Sequence, residues 1–430
     1  MASTYLTRTF SAGNRKTGTI SVWLKRSSLA GTQYIFSAMN APANGYISSF
    51  ININSAGQIA LKNFTADGTS THTELKPNAQ FRDVSAWYHI VFSWNTTLST
   101  ASDRYKLYVN GERITSFATA TYPTLNEDLY LDIGGSSNPV SIGSEDASGG
   151  GGYFNGLMSH YHHTDGTAYD ASAFGSTDTT TGEWQINTSP SVTYGTNGFF
   201  ILKDGNSVTD QSGNSNNFTV GGGTLTKTED NPSNVFATGN TLITTGSPTF
   251  SNGNNTFTKS GTSWVDSFST IAPSSGKFYN EFKWVSDSAS TKYCRIGISE
   301  VDGIALATSS TSIQDMSTSY FYENESGSIT GSGHSGSYGT SFTVGDIIGV
   351  GLDLDNNKLY ISKNGAWQNS ANPSSGTGGF SIVAGTYYMG AGIYSSGTSV
   401  VSANYGNGFF GTTAVSLSLI HISEPTRLGF

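Results

Sequence analysis

Two stretches far apart in the chain are written almost alike: KLYVNGERI from Lys106 to Ile114, and KLYISKNGAWQ from Lys358 to Gln368. Each is an alternating apolar and aromatic run, then Asn-Gly, then a second alternating run. No other pattern in the sequence constrains the fold as much, because it is the signal of a β-hairpin. A type I′ turn needs positive φ at both central residues, which Asn tolerates and Gly adopts freely. Asn110-Gly111 and Asn364-Gly365 are therefore expected at hairpin tips. Their recurrence in unlike surroundings suggests two domains of one architecture.

The chain has 430 residues, more than one core usually serves, so two domains are the prior. It has 52 glycines, 12% aromatic residues and 12% charged residues, against roughly 25% charged in an ordinary soluble domain. Tyr, Phe and Trp recur every few residues, with Ser, Thr, Gly and Asn between them. That texture predicts many short strands joined by turns and almost no helix. The net charge of −9, without basic clusters, argues against a nucleic-acid partner. The single cysteine, Cys294, lies in the strand-like KYCRIGIS and reads as a small buried apolar residue. The opening MASTYLTRTFSAGNRK lacks an apolar h-region, and no run approaches the roughly 18 apolar residues of a membrane span, so neither a secretion signal nor membrane insertion is expected.

LSLIHISEPTR, Leu417 to Arg427, breaks the Gly/Ser/Thr/Tyr texture abruptly. It resembles the conceptual translation of a sequencing-library adapter, and residues 416–430 are set aside as an expected artefact.

In the second half, SSGKFYNEFKW (Ser274 to Trp284), CRIGIS (Cys294 to Ser299), GDIIGVGLDLDNNKLYISKNGAWQ (Gly345 to Gln368) and YYMGAGIYSSGTSVVSANYG (Tyr387 to Gly406) follow one another. Together these four motifs closely resemble a SPRY domain, placed at 241–415. SPRY domains are bent β-sandwiches that bind partners through loops and are not enzymes. In DIIGVGLDL, Ile348, Val350 and Leu352 alternate with Ile347, Gly349 and Gly351, and the glycines are expected to let a facing sheet approach closely.

The first half offers TGTISVWLKRS (Thr17 to Ser27), in which Ile20, Val22 and Leu24 alternate with Ser21, Trp23 and Lys25. WYHIVFSWN (Trp87 to Asn95), the Asn110 hairpin, VSIGS (Val140 to Ser144) and YFNGLMSHYHHTDGTAYDASAFG (Tyr153 to Gly175) follow. This series resembles the laminin-G-like, concanavalin-A-like jelly rolls, over residues 1–205. The combination of FNG, a strand and DGTAYDASAFG resembles virion proteins of marine bacteriophages. Residues 206–240, with DQSGNSNNFTV and DNPSNVFATGN, are expected to bridge the halves. The expected class is all-β: two tandem concanavalin-like jelly-roll β-sandwiches.

A glucanase on this scaffold would need a Glu-x-Asp-x-x-Glu row for its nucleophile and acid/base. The nearest string, EVDGIA from Glu300, lacks the last Glu, and no Gly-x-Ser-x-Gly elbow is present. DLDNN, Asp353 to Asn357, fails as a calcium loop because Lys358 fills the slot that needs Gly and Asn364 stands where the bidentate Glu should be. No catalytic residue and no cofactor are therefore expected.

His160, His162 and His163 in SHYHHTDG are the sharpest local feature. On a regular strand His160 and His162 share a face, and with Asp165 nearby they could hold zinc or copper. The preferred alternative is a solvent-facing row on a strand whose other face packs inward. SYFYEN (Ser319 to Asn324) reads as core rather than as a sugar platform. His160, His162, His163 and Asp165, with Tyr322, His334 and Tyr338, are the candidate ligand contacts. The resemblance implies a non-catalytic virion-surface or tail-fibre-like adhesion protein, multivalent or homo-oligomeric, bound to host-surface glycan or protein. The alternative is a capsid or tail decoration module contacting other virion subunits.

Overall fold

The computed structural model describes residues 3–40, 47–64, 71–131, 139–203, 207–228, 230–300, 318–331, 334–406, 409–410 and 413–414. The adapter-like segment lies outside them, as does most of EVDGIA. Strands dominate; helix among the described residues is limited to Ala101–Arg104 and the 3-10 turn Ala171–Ala173. The chain divides into two compact units at about residues 227–235.

The first unit is a pair of antiparallel sheets. The six-stranded sheet runs Phe199–Ile201, Gly156–Asp165, Thr17–Arg26, Tyr88–Asn95, Tyr105–Val109, Glu112–Arg113. The eight-stranded sheet runs from Phe117–Thr121 through Thr71–Pro77, Ile59–Phe64, Ile47–Ile53, Gln33–Asn40 and Pro139–Ile142 to Tyr5–Thr9 and Thr219–Gly222. Ile20, Val22 and Leu24 enter the core with Phe92, Leu107, Ile35 and Ile51, as their alternation predicts. Burying each such aliphatic side chain stabilises the fold by about 1.5–3 kcal/mol.

The expected bridge 206–240 is not a separate segment. Thr219–Gly222 pairs with Tyr5–Thr9 at the edge of the first unit, and Phe218 joins that unit's core. The described residues from Val235 onward belong to the second unit.

In the second unit, a seven-stranded sheet runs Gly239–Thr245, Val265–Ser269, Tyr387–Ser395, Lys292–Glu300, Ser319–Glu323, Ser328–Gly331, His334–Ser337. Its companion runs Thr249–Ser251, Thr256–Lys259, Ser399–Asn404, Lys277–Asp287, Ile347–Asp353, Lys358–Lys363, Ala366–Trp367. Ile348, Val350 and Leu352 lie in the core with Phe282, Trp284, Ile296 and Val401. The glycines of DIIGVGLDL do not serve a facing sheet. A Cβ on Gly349 would stand 2.3 Å from the Tyr279 hydroxyl, and one on Gly351 would stand 3.2 Å from the Trp367 ring, so both glycines make room for side chains lying across the outer face of their own sheet.

Both Asn-Gly hairpins have the expected turn. Asn110 and Gly111 have φ of 48° and 84°, and Asn364 and Gly365 have 49° and 83°. A second device is shared. The Asn110 side chain accepts from His89 N at 2.8 Å while Asn110 N donates to His89 O at 2.9 Å. Asn364 does the same with Ile347, at 2.8 and 2.7 Å. Each turn asparagine thus closes the ladder of the neighbouring strand as well as supplying positive φ.

Candidate functional site

The three histidines do not form a solvent-facing row; His160, His162 and His163 are 6%, 2% and 0% exposed. The pairing of Gly156–Asp165 with Thr17–Arg26 shifts register between Ser159 and His162, and His160 takes φ of 47° at this bulge. A bulge inserts a residue and re-aims the side chains around it. His163 turns into the core, among Phe10, Phe36, Trp94 and Phe199. His162 lies on the opposite face, stacked on Phe200 at 3.9 Å with its Nδ1 3.0 Å from the Tyr194 hydroxyl. His160 meets the Ser159 hydroxyl through Nδ1 at 2.8 Å. Asp165 is spent on backbone: its carboxylate accepts from Asn14 N at 2.6 Å and Asn197 N at 2.9 Å. Among the described residues no three His, Cys, Asp or Glu side chains are placed to hold a metal ion.

The outer face of this sheet is sealed by residues from 169 to 200. Trp184 and Ile186 pack on Trp23, Trp87 and Leu157, and Phe174 packs on Val91 with Tyr169 and Val192. At the centre of this layer lies His89, sandwiched between Trp23 at 4.8 Å and Trp184 at 6.0 Å. The Trp184 indole N–H donates to His89 Nδ1 at 3.0 Å, so the remaining ring proton is on Nε2, which donates to Ser21 Oγ at 2.8 Å. An imidazole already protonated toward the serine cannot take that serine's proton, so this Ser–His contact is not a nucleophile and its base. Burial pushes the His89 pKa down to about 3 and the His162 pKa well below the imidazole range, the latter helped by the nearby His160. Both rings are neutral structural groups.

In the second unit, Tyr322 is fully buried, stacked on Phe342 at 5.7 Å with its hydroxyl donating to Thr340 O. Tyr338 is buried too, and donates to Gly378 O at 2.9 Å. Ser319–Tyr322 is therefore core, while Glu323 and Asn324 at the end of SYFYEN are half-buried, and Tyr322 and Tyr338 cannot meet a ligand as surface contacts. His334 is exposed, edge-on to Phe380 at 4.5 Å. Cys294 is buried and unpaired, its thiol pushed up by burial.

A cleft of about 410 Å³ opens elsewhere on the seven-stranded sheet, within the range of small-molecule sites. Tyr293 and Tyr394 sit directly opposite each other on paired strands, with ring centroids 5.8 Å apart. Trp264 joins them at 6.3 and 5.8 Å, and all three rings are partly exposed. Thr291, Glu323, Asn324 and Glu325 complete the lining. Beneath the indole lies the buried Arg295 guanidinium, 3.9 Å from the ring centroid and 3.3 Å from Asp266. Gly392 admits this pair, since a Cβ there would stand 2.1 Å from the Asp266 carboxylate. KYCRIGIS and YYMGAGIYS announce their strands in sequence, but only the register reveals that Tyr293 and Tyr394 are partners.

Residues 2–167 match the family model of the concanavalin A-like lectin/glucanases superfamily of laminin-G type, and residues 277–377 match the SPRY domain model. The chain carries a laminin-G-like domain and a SPRY domain. Among solved structures it is similar to the SPRY domain of human HERC1 (17% identity, 39% of this chain and 97% of that one, TM-score 0.31). It is also similar to a heptameric SAP-like pentraxin from Limulus polyphemus (20%, 39% and 71%, TM-score 0.28). Stonustoxin gives 18% identity over 39% of this chain and 27% of that one, with a TM-score of 0.29. No curated protein matches the chain. Laminin-G-like and SPRY domains are typically non-catalytic binding modules.

Proposed function

We propose that the protein is a non-catalytic adhesion protein of the virion-surface or tail-fibre kind, whose sandwiches bind host-surface glycan or protein. The cleft walled by Trp264, Tyr293 and Tyr394 is the observation that carries this reading. It presents apolar area beside polar groups. Further support comes from the imidazoles: His89 and His162 are held neutral inside an aromatic layer rather than poised at a surface. The virion setting rests on the resemblance of DGTAYDASAFG, where Asp170 serves locally to cap the turn Ala171–Ala173.

A lone site of this kind, without a metal or charged clamp on the ligand, binds weakly, on the order of millimolar or about −4 kcal/mol. Display in many copies would raise apparent affinity by roughly 10² to 10⁴. Beads coated with the protein should therefore stay on host cells that the monomer leaves within seconds. Beads that fail on every cell from the source community, while the protein docks on purified phage particles, would replace adhesion with decoration.

A further inference from the structure

We infer that the Trp264–Tyr293–Tyr394 cleft is a subsite for one neutral sugar ring, which stacks on the aromatic cluster while Glu323, Asn324 and Thr291 meet its hydroxyls. This deepens the adhesion reading and rests on it for its biological sense. Three observations select the ligand class. The ring centroids lie 5.8–6.3 Å apart with planes inclined by 30–50°, so the rings form one contiguous aromatic wall.

The buried side of this platform is occupied by cations of the protein itself. The Arg295 guanidinium lies over Trp264 at 3.9 Å, and the Lys259 ammonium lies over Tyr394 at 5.6 Å while donating to Ser395 O at 2.7 Å. Both cations are buried, so those inner faces are filled and a ligand reaches only the outer side of the rings, beside Glu323 and Glu325. A neutral ring with C–H groups turned to this outer side stacks there without displacing either cation.

The rim, finally, is rich in hydroxyl-matching groups. Glu323, opposite Arg295 in the strand register, already accepts from Thr330 Oγ1 at 2.9 Å, which fixes its carboxylate. Asn324 is fixed in the same way, its side-chain oxygen accepting from Cys294 N at 2.8 Å. Polar groups held in place by such bonds bind with little loss of freedom.

The test uses the full chain with the methyl glycosides of glucose, galactose, mannose and N-acetylglucosamine as probes, and N-acetyl-lysine methyl ester as the cationic control. Saturation-transfer NMR should detect at least one glycoside and not the lysine probe. Tyr394→Ala should weaken binding of that glycoside at least tenfold, with both melting transitions still present. Since Tyr394 packs on its neighbours, Thr291→Ala on the exposed rim is a second variant, expected to weaken binding two- to fivefold without touching the platform. Absence of binding by all four glycosides at 50-fold the expected constant, or preferential binding of the lysine probe, overturns the subsite. Glycoside binding unchanged in both variants overturns it as well, by placing the sugar elsewhere. Cell retention of beads separates the two proposals. Wild-type and Tyr394→Ala beads held equally would leave adhesion standing and remove the cleft, whereas glycoside binding lost in Tyr394→Ala, with beads that never hold cells, would keep the subsite and remove adhesion.

Discussion

The two sandwiches share a central Asn-Gly hairpin and differ in what they do with an outer sheet face. In the laminin-G-like domain, Trp184, Phe174 and Tyr194 come from a long return segment and close over Ser21, Trp23, His89 and His162, so the strand Thr17–Arg26 is buried on both faces. In the SPRY domain the seven-stranded sheet is covered in part by a buried ion pair and left open at the Trp264 cleft. The comparison teaches that polar residues on a strand do not report exposure. Ser21, Lys25, His89 and His162 are all nearly inaccessible, because a second layer of chain lies over them.

Acid should separate the domains most. His89 and His162 are neutral when folded, and their folded pKa values lie below the ordinary value of about 6.5. As pH falls below that value the unfolded chain takes up protons that the folded domain refuses. Stability is complete above pH 6.5 and falls by about 1.4 kcal/mol per pH unit for each imidazole. In the SPRY domain, Asp346 and Asp353 are partly desolvated, yet hydrogen bonds hold them low, and their contribution fades only below about pH 4. Calorimetry from pH 7 to 5 should move the laminin-G-like endotherm down by many degrees and leave the SPRY endotherm nearly still. Equal movement would break the contrast.

Asp266→Ala should come next, because it leaves the Arg295 charge buried without its carboxylate partner, at a cost of about 3–5 kcal/mol to the SPRY domain. Lys62→Ala in the first domain removes an ion pair of similar length, 3.4 Å to Glu74, but one that is partly solvated, and should cost under about 1 kcal/mol. Urea titration of the two variants checks the ratio.

The hairpins give the smallest contrast. Val at Gly111 or Gly365 must adopt positive φ, a strain of about 1–3 kcal/mol in either domain. At Gly111 the new Cβ also meets the Trp184 ring at 2.4 Å, so Gly111→Val should lower its domain's midpoint more than Gly365→Val lowers the other. Equal losses would mean that Trp184 yields without cost.

Much of the fold was legible because strand and turn signals are local. Alternation placed Ile20, Val22 and Leu24 in one core and Ile348, Val350 and Leu352 in the other, and Asn-Gly specified the I′ turns through the φ values those residues permit. The burial of Cys294 and of Tyr320, Phe321 and Tyr322 in SYFYEN also followed from composition and context. What stayed hidden depended on partners distant in sequence. The bulge at His160 shifts the histidines by one position, and no local pattern marks it. The glycines of DIIGVGLDL looked inward until Tyr279 and Trp367 were seen lying over them. Thr219–Gly222 carries too little apolar pattern to announce that it completes the first unit's sheet edge. The cleft exists only because antiparallel register sets Tyr293 against Tyr394 and brings Trp264 beside both. The sequence by itself determined which residues could form strands and where the chain could turn. Which faces were sealed, and where aromatic rings met at a surface, only the tertiary structure decided, since both depend on packing between segments that no local rule relates.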